Sequence, residues 1–138
     1  MDAGRRKNHK DLILWQKAMS LATDVHRLTI ALPRHEAFGL TSQLRRAAVS
    51  IPSNVAEGAA RRTTREFLHL LHVARGSFAE LKTQLQLSRN IGYVSDTSLT
   101  PILTSVDEVG RLLNAVIMGL RRREAQRSSL PPDHYPLS

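Results

Sequence analysis

The chain has 138 residues, of which 41% are hydrophobic and 23% charged, close to the globular average and enough for one domain. With no cysteine it excludes a disulfide framework, a thiolate zinc site, an iron–sulfur cluster and a cysteine nucleophile, and it fits a reducing, cytoplasmic setting. Lys plus Arg is 20 against 12 Asp plus Glu, a net charge of +8, and 16 of the cations are arginine. That sign favours an acidic partner, and guanidinium suits bidentate phosphate or carboxylate recognition, although a GC-rich genome also raises arginine over lysine.

The order of elements reads as four helices between a basic head, residues 1–10, and a disordered tail, residues 124–138. The head MDAGRRKNHK is basic, but no apolar core follows it, so no secretory signal is expected. The first helix is predicted over 11–32. Leu14, Ala18, Leu21, Val25, Leu28 and Leu32 step by four and three, one face of a helix. A second stripe, Leu12, Trp15, Met19 and Ala22, lies a quarter-turn or more away and needs another surface, either a broader core or a neighbouring subunit. Pro33 ends the segment, because the residue before a proline avoids helical angles.

The second helix is predicted over 39–60, capped by Thr41 or Ser42. Pro52 lacks an N–H and clashes with the carbonyl of Ala48, so a kink or break is expected there. Ser50, Ser53 and Asn54 can serve the freed backbone groups, and Gly58 suits an end or a close contact. The third helix is predicted over 64–90. Thr63 with Glu66 is a capping-box pattern, and Phe67, Leu70, Leu71, Ala74, Phe78, Leu81 and Leu85 form its stripe. The fourth is predicted over 99–123, with Pro101 in a tolerant first turn. Leu99, Ile102, Leu103, Val106, Gly110, Leu113, Ile117 and Leu120 form its stripe, with Val109, Leu112 and Val116 on the flank. The longest apolar run is a few residues, far short of the roughly 18–20 a membrane span needs, so no membrane partner is expected. The fold class that follows is all-α, an antiparallel up-down-up-down four-helix bundle with a kinked second helix over residues 11–123.

No catalytic constellation is visible. No glycine-rich phosphate loop and no Gly-x-Ser-x-Gly elbow occurs. Glu66 and His69 form a Glu-x-x-His unit, the half-site of di-metal bundles, with His72 one turn on. Glu36, Glu57, Glu80 and Glu108 lack a histidine three residues later, so the second half-site is missing. A metal-dependent enzyme using Glu66, His69 and His72 stays as a remote alternative, and no catalytic residue, metal or cofactor is expected.

The basic residues cluster. Arg45, Arg46, Arg61, Arg62 and Arg65 share 25 residues with only Glu57 as acid. Arg5, Arg6, Lys7 and Lys10 occupy the head, and Arg121, Arg122, Arg123 and Arg127 the far end of the fourth helix. In an up-down bundle these three clusters are expected to crowd one end. The scarcity of aromatics argues for backbone contact over base stacking. Arg45, Arg61, Arg62, Arg65, Arg121, Arg122 and Arg123 are therefore the candidates for contact with RNA or DNA. The alternatives are a merely solvated basic end and an acidic protein or lipid surface.

The run GLTSQLRRAAVSIPSNVAEGAAR over 39–61 and the run EFLHLLHVARGSFAELKTQL over 66–85 closely resemble the four-helix-bundle family of 23S rRNA intervening-sequence proteins, and DLILWQKAMSLA over 11–22 looks like that family's first helix. The resemblance covers about residues 10–123. It implies a bacterial protein, a ring-like homo-oligomer that is a pentamer as in known relatives, and no established enzymatic activity. A distant bundle relative assists a reverse transcriptase and carries a basic surface for nucleic acid. Family-typical Ser50, Pro52, Asn54 and Glu57 then read either as a kink held by polar side chains or as a recognition surface. Gln43, Arg46, Arg75 and Glu80 read as a buried or intersubunit polar network, since desolvated Arg and Glu prefer to pair. Trp15, Met19, Arg46, Arg75 and Glu80 are thus the candidates for the oligomer interface. The resulting expectation is a non-catalytic, homo-oligomeric RNA- or DNA-binding accessory or scaffold. The alternative is a protein–protein interaction module with an incidental basic surface.

Overall fold

The computed structural model describes residues 9–128, and these contain four α-helices and no strand. They are α1 His9–Leu28, α2 Leu40–Ala59, α3 Thr64–Ile91 and α4 Asp96–Ser128. Short 3-10 turns at Thr29–Ala31 and Arg34–Glu36 join α1 to α2. Residues 1–8 of the expected head and 129–138 of the expected tail lie outside the described residues.

The ends of the helices differ from expectation for local reasons. α1 begins at His9, inside the expected head, and stops being α-helical at Leu28. Pro33 forces Leu32 to extended angles (φ −74°, ψ 147°), and the intervening residues tighten into a 3-10 turn. α4 starts three residues earlier than predicted because the Ser95 hydroxyl accepts the Ser98 N–H at 3.1 Å. Pro101 consequently sits in the second turn, inside the helix. At the other end Glu124–Ser128, expected as tail, is helical. Arg, Glu, Ala and Gln are good helix formers, and no proline intervenes before Pro131. α2 runs unbroken through Pro52, where Asn54 Nδ2 donates to the Ser50 carbonyl at 2.8 Å and to its hydroxyl at 3.0 Å.

The stripes read from the sequence meet in one core. Leu14, Leu21, Leu44, Ile51, Phe67, Leu71, Leu81, Leu85, Leu99, Leu113 and Ile117 are essentially inaccessible to water. Burying one such side chain is worth about 1.5–3 kcal/mol. α1 and α3 each pack against α2 and α4, and among the described residues the backbones of the diagonal pairs stay apart. Along each contact, numbers rise on one helix as they fall on the other. Gly58 lies against Phe67 while Ser50 bonds Ser77 at 2.7 Å. Phe78 packs on Gly110 while Arg121 reaches His72. Clefts join the start of α1 to the ends of α2 and α4, and the start of α3 to the end of α4. Those four termini therefore share one end of the molecule. Beyond Leu120 no α4 residue is buried.

The opposite end is fastened by Glu36. Its Oε1 accepts the Leu40 N–H at 3.1 Å, capping α2, and its Oε2 accepts the Tyr93 O–H at 2.8 Å. Tyr93 follows Gly92, which ends α3 in the left-handed region at φ 93°. The Leu40 N–H and the Tyr93 hydroxyl hold the Glu36 carboxyl below the usual glutamate range, and the same carboxylate pushes the Tyr93 hydroxyl up.

Candidate functional site

The shared end carries the charge. Residues 9–11, 57–66 and 121–128 hold eight Lys and Arg against four Asp and Glu. Two of those acids are engaged locally: Glu57 pairs with Arg61 at 2.7 Å, and Glu66 accepts from the Thr63 hydroxyl at 3.0 Å while its N–H completes the capping box. Arg61, Arg62, Arg65, Arg121, Arg122 and Arg123 are all exposed. Consecutive helical residues point about 100° apart, so the three adjacent arginines spread around α4. Arg122 and Arg123 line the cleft with His9 and Lys10 of α1, and Arg121 turns toward α3. Arg65 shares a second cleft with Thr63, Glu124 and Arg127.

Arg45 does not join them. It sits in the second turn of α2, about 24 Å along the helix from Arg61, and its Nε donates to the Thr29 hydroxyl at 2.9 Å. Proximity in sequence misled here, because a helix of 20 residues carries its two ends to opposite ends of the molecule.

His72 on α3 sits between two guanidinium groups. Arg75 Nη2 lies 3.1 Å from its Nδ1, and Arg121 Nη2 lies 3.1 Å from its Nε2. Partial burial and the positive charges of Arg75 and Arg121, with His69 adding a smaller effect, hold the imidazole below the ordinary histidine range. Among the described residues neither Arg75 nor Arg121 meets a carboxylate. This cluster was missed in sequence: the spacing of three from His72 to Arg75 was visible, but Arg121 is 49 residues away. The metal alternative loses its geometry, since Glu66 caps its helix and His72 faces guanidinium groups. No three His, Cys, Asp or Glu side chains among the described residues gather as a metal site.

The five interface candidates fall on three faces. Trp15 (37% exposed) and Met19 (41%) flank an apolar groove between α1 and α2, completed by Ala22, Val49, Pro52 and Ala56. Leu12 extends that groove toward the charged end. Arg46 and Glu80 line a polar cleft between α2 and α3, with Gln43, Ser50, Ser77 and Gln84. No ion pair joins Arg46 to Glu80 within the chain, and both side chains are exposed. Arg75 belongs with His72 instead. No helix among the described residues is long and apolar enough to cross a membrane.

Comparison with known proteins assigns the fold a lineage. A family model described as 23S rRNA-intervening sequence protein matches residues 10–115. Among solved structures, the chain is similar to a protein of unknown function from the S23 ribosomal protein family of Bacteroides thetaiotaomicron. The TM-score is 0.72 at 22% identity, over 79% of this chain and 98% of that one. A comparison with curated proteins finds no match.

Proposed function

The chain belongs to the 23S rRNA-intervening sequence protein family, and from that premise we propose that it is a non-catalytic, homo-oligomeric scaffold that binds the phosphate backbone of RNA or DNA. The observation that carries this reading is the charged end, where eight cations stand against four carboxylates. Like charges gathered at one end repel, and a polyanion relieves that repulsion. Arg61, Arg62, Arg65, Arg121, Arg122 and Arg123 are the contacting set, and Arg45 is left out of it. Residues 9–11, 57–66 and 121–128 contain no Phe, Trp or Tyr, which favours backbone contact without base stacking.

The reading includes an antiparallel up-down-up-down bundle, supported by the opposed numbering along each helix contact. It also includes a ring of copies, a pentamer, in a cytoplasmic setting. A ring requires two different faces that meet head to tail. The apolar groove at Trp15 and Met19 and the polar cleft at Arg46 and Glu80 flank α2 on either side and suit that role. Several copies in a ring multiply weak phosphate contacts into useful avidity. The same apolar groove is what a protein-interaction module would use, and this is the second reading.

Binding of RNA and of duplex DNA across a salt series tests the proposal. Log affinity is expected to fall by about 0.7–0.9 per phosphate contact per log unit of salt. Reversing Arg61, Arg62 and Arg65 to glutamate is expected to abolish binding. Absence of binding at low salt, or binding indifferent to salt and to these reversals, overturns it and favours the protein-interaction reading.

A further inference from the structure

We propose that the side-chain cluster at His72, where α3 meets α4, is an oxyanion site for a phosphate group, held by the guanidinium groups of Arg75 and Arg121 and the imidazole between them. The argument is one of unmatched donors. A guanidinium group has only N–H donors, and a neutral imidazole has a single acceptor nitrogen. Both ring nitrogens of His72 nevertheless face a guanidinium nitrogen at 3.1 Å. One of the two contacts therefore lacks an acceptor. Protonating the ring removes the other as well. No carboxylate among the described residues takes up the surplus. A tetrahedral oxyanion offers acceptors to both arginines, and charge-assisted bonds of that kind are the strong ones.

Occupancy carries a proton with it. The charged groups acting on His72 are Arg75 and His69 of its own helix and Arg121 of α4; none comes from α2. They disfavour the imidazolium. A bound anion reverses that balance, so the ring becomes a third donor and binding takes up a proton. Affinity for phosphate accordingly tightens as pH falls through the range where His72 titrates.

The inference deepens the nucleic-acid reading, since a phosphodiester is one source of such an oxyanion and inorganic phosphate is the other. It rests on its own observations, however, and its test separates the two. The histidine ring resonances of the full chain are followed by NMR against pH, with inorganic phosphate added to a phosphate-free buffer at constant ionic strength. The titration midpoint of His72 is expected to rise with phosphate. Arg75→Gln and Arg121→Gln are each expected to abolish the rise without loss of helical signal, both side chains being exposed. An unmoved His72 with both inorganic phosphate and an RNA oligonucleotide, or an equal rise with chloride, overturns the site. An RNA oligonucleotide that moves His72 where inorganic phosphate does not supports the site and assigns it to the polymer. If phosphate moves His72 while RNA binds nowhere on the protein, the site stands and the nucleic-acid reading falls. If RNA binds with salt dependence yet leaves His72 unmoved, as phosphate does, the nucleic-acid reading stands and the site falls.

Discussion

Gly58 marks the closest approach between α2 and α3. A Cβ built there would stand 2.6 Å from Phe67 Cδ1 and 3.3 Å from Leu70 Cβ, and Phe67 is fully buried, so it cannot swing aside. Gly58→Ala is expected to destabilise by about 1–3 kcal/mol, the cost of overpacking. Gly76, exposed on α3, has nothing within 4 Å of that position, and alanine there is expected to stabilise by about 0.5–1 kcal/mol. Thermal melts of the two variants move in opposite directions if the packing is as described. At this scale the sequence spoke clearly wherever period alone decided. Every apolar position of the first stripe on α1, Leu14 through Leu28, is buried. It spoke poorly wherever a side chain's partner lay on another element. Nothing near Arg45 in sequence indicates that Thr29 takes its Nε, and nothing near His72 names Arg121.

Between elements, the Glu36 bridge ties the loop that enters α2 to the turn that leaves α3. The folded carboxyl titrates below its unfolded value of about 4.3. Its contribution to stability is therefore present above the unfolded value and is lost as pH falls through the depressed folded one. Glu36→Gln is expected to lower the melting temperature at neutral pH and to converge with the parent at acid pH, where both side chains are uncharged. A constant difference across that range would refute the assignment. The Tyr93 hydroxyl titrates above its unfolded value, so its share is held below about 10 and lost as pH rises through the folded value. Four helices and their order were legible because each stripe repeats at a helical interval and each gap holds a stop signal. The Thr63–Glu66 box marked the start of α3 in advance. Pro101, tolerated in a first turn, points to a later start of α4 than the one the Ser95 cap sets. The Glu36–Tyr93 bond, 57 residues apart, had no local signature at all.

For the whole molecule, the grooves on either side of α2 make the proposed assembly testable without nucleic acid. Trp15→Asp and Met19→Asp are expected to reduce the mass in solution toward that of one chain while leaving the helical signal intact, because both side chains lie outside the core. An unchanged mass would move the interface elsewhere. The gathering of charge at one end followed from counting helices, and the structure places six of the seven arginines there. The separation of Arg75 from Arg46 and Glu80 did not follow from the sequence. Spacing along α3 fixes an angle around that helix, but it does not say whether α2 or α4 lies in that direction.

α4 outlasts the core by eight residues, Arg121 to Ser128. With nothing buried there, its last two turns are held by intrinsic preference without core packing, and Arg123 and Arg127, one turn apart on the same face, repel and push toward the coil. An anion that neutralises them shifts the helix–coil balance toward helix. By reciprocity, a wound end binds that anion more tightly than a frayed one. Folding of this end and capture of the anion are then a single coupled equilibrium.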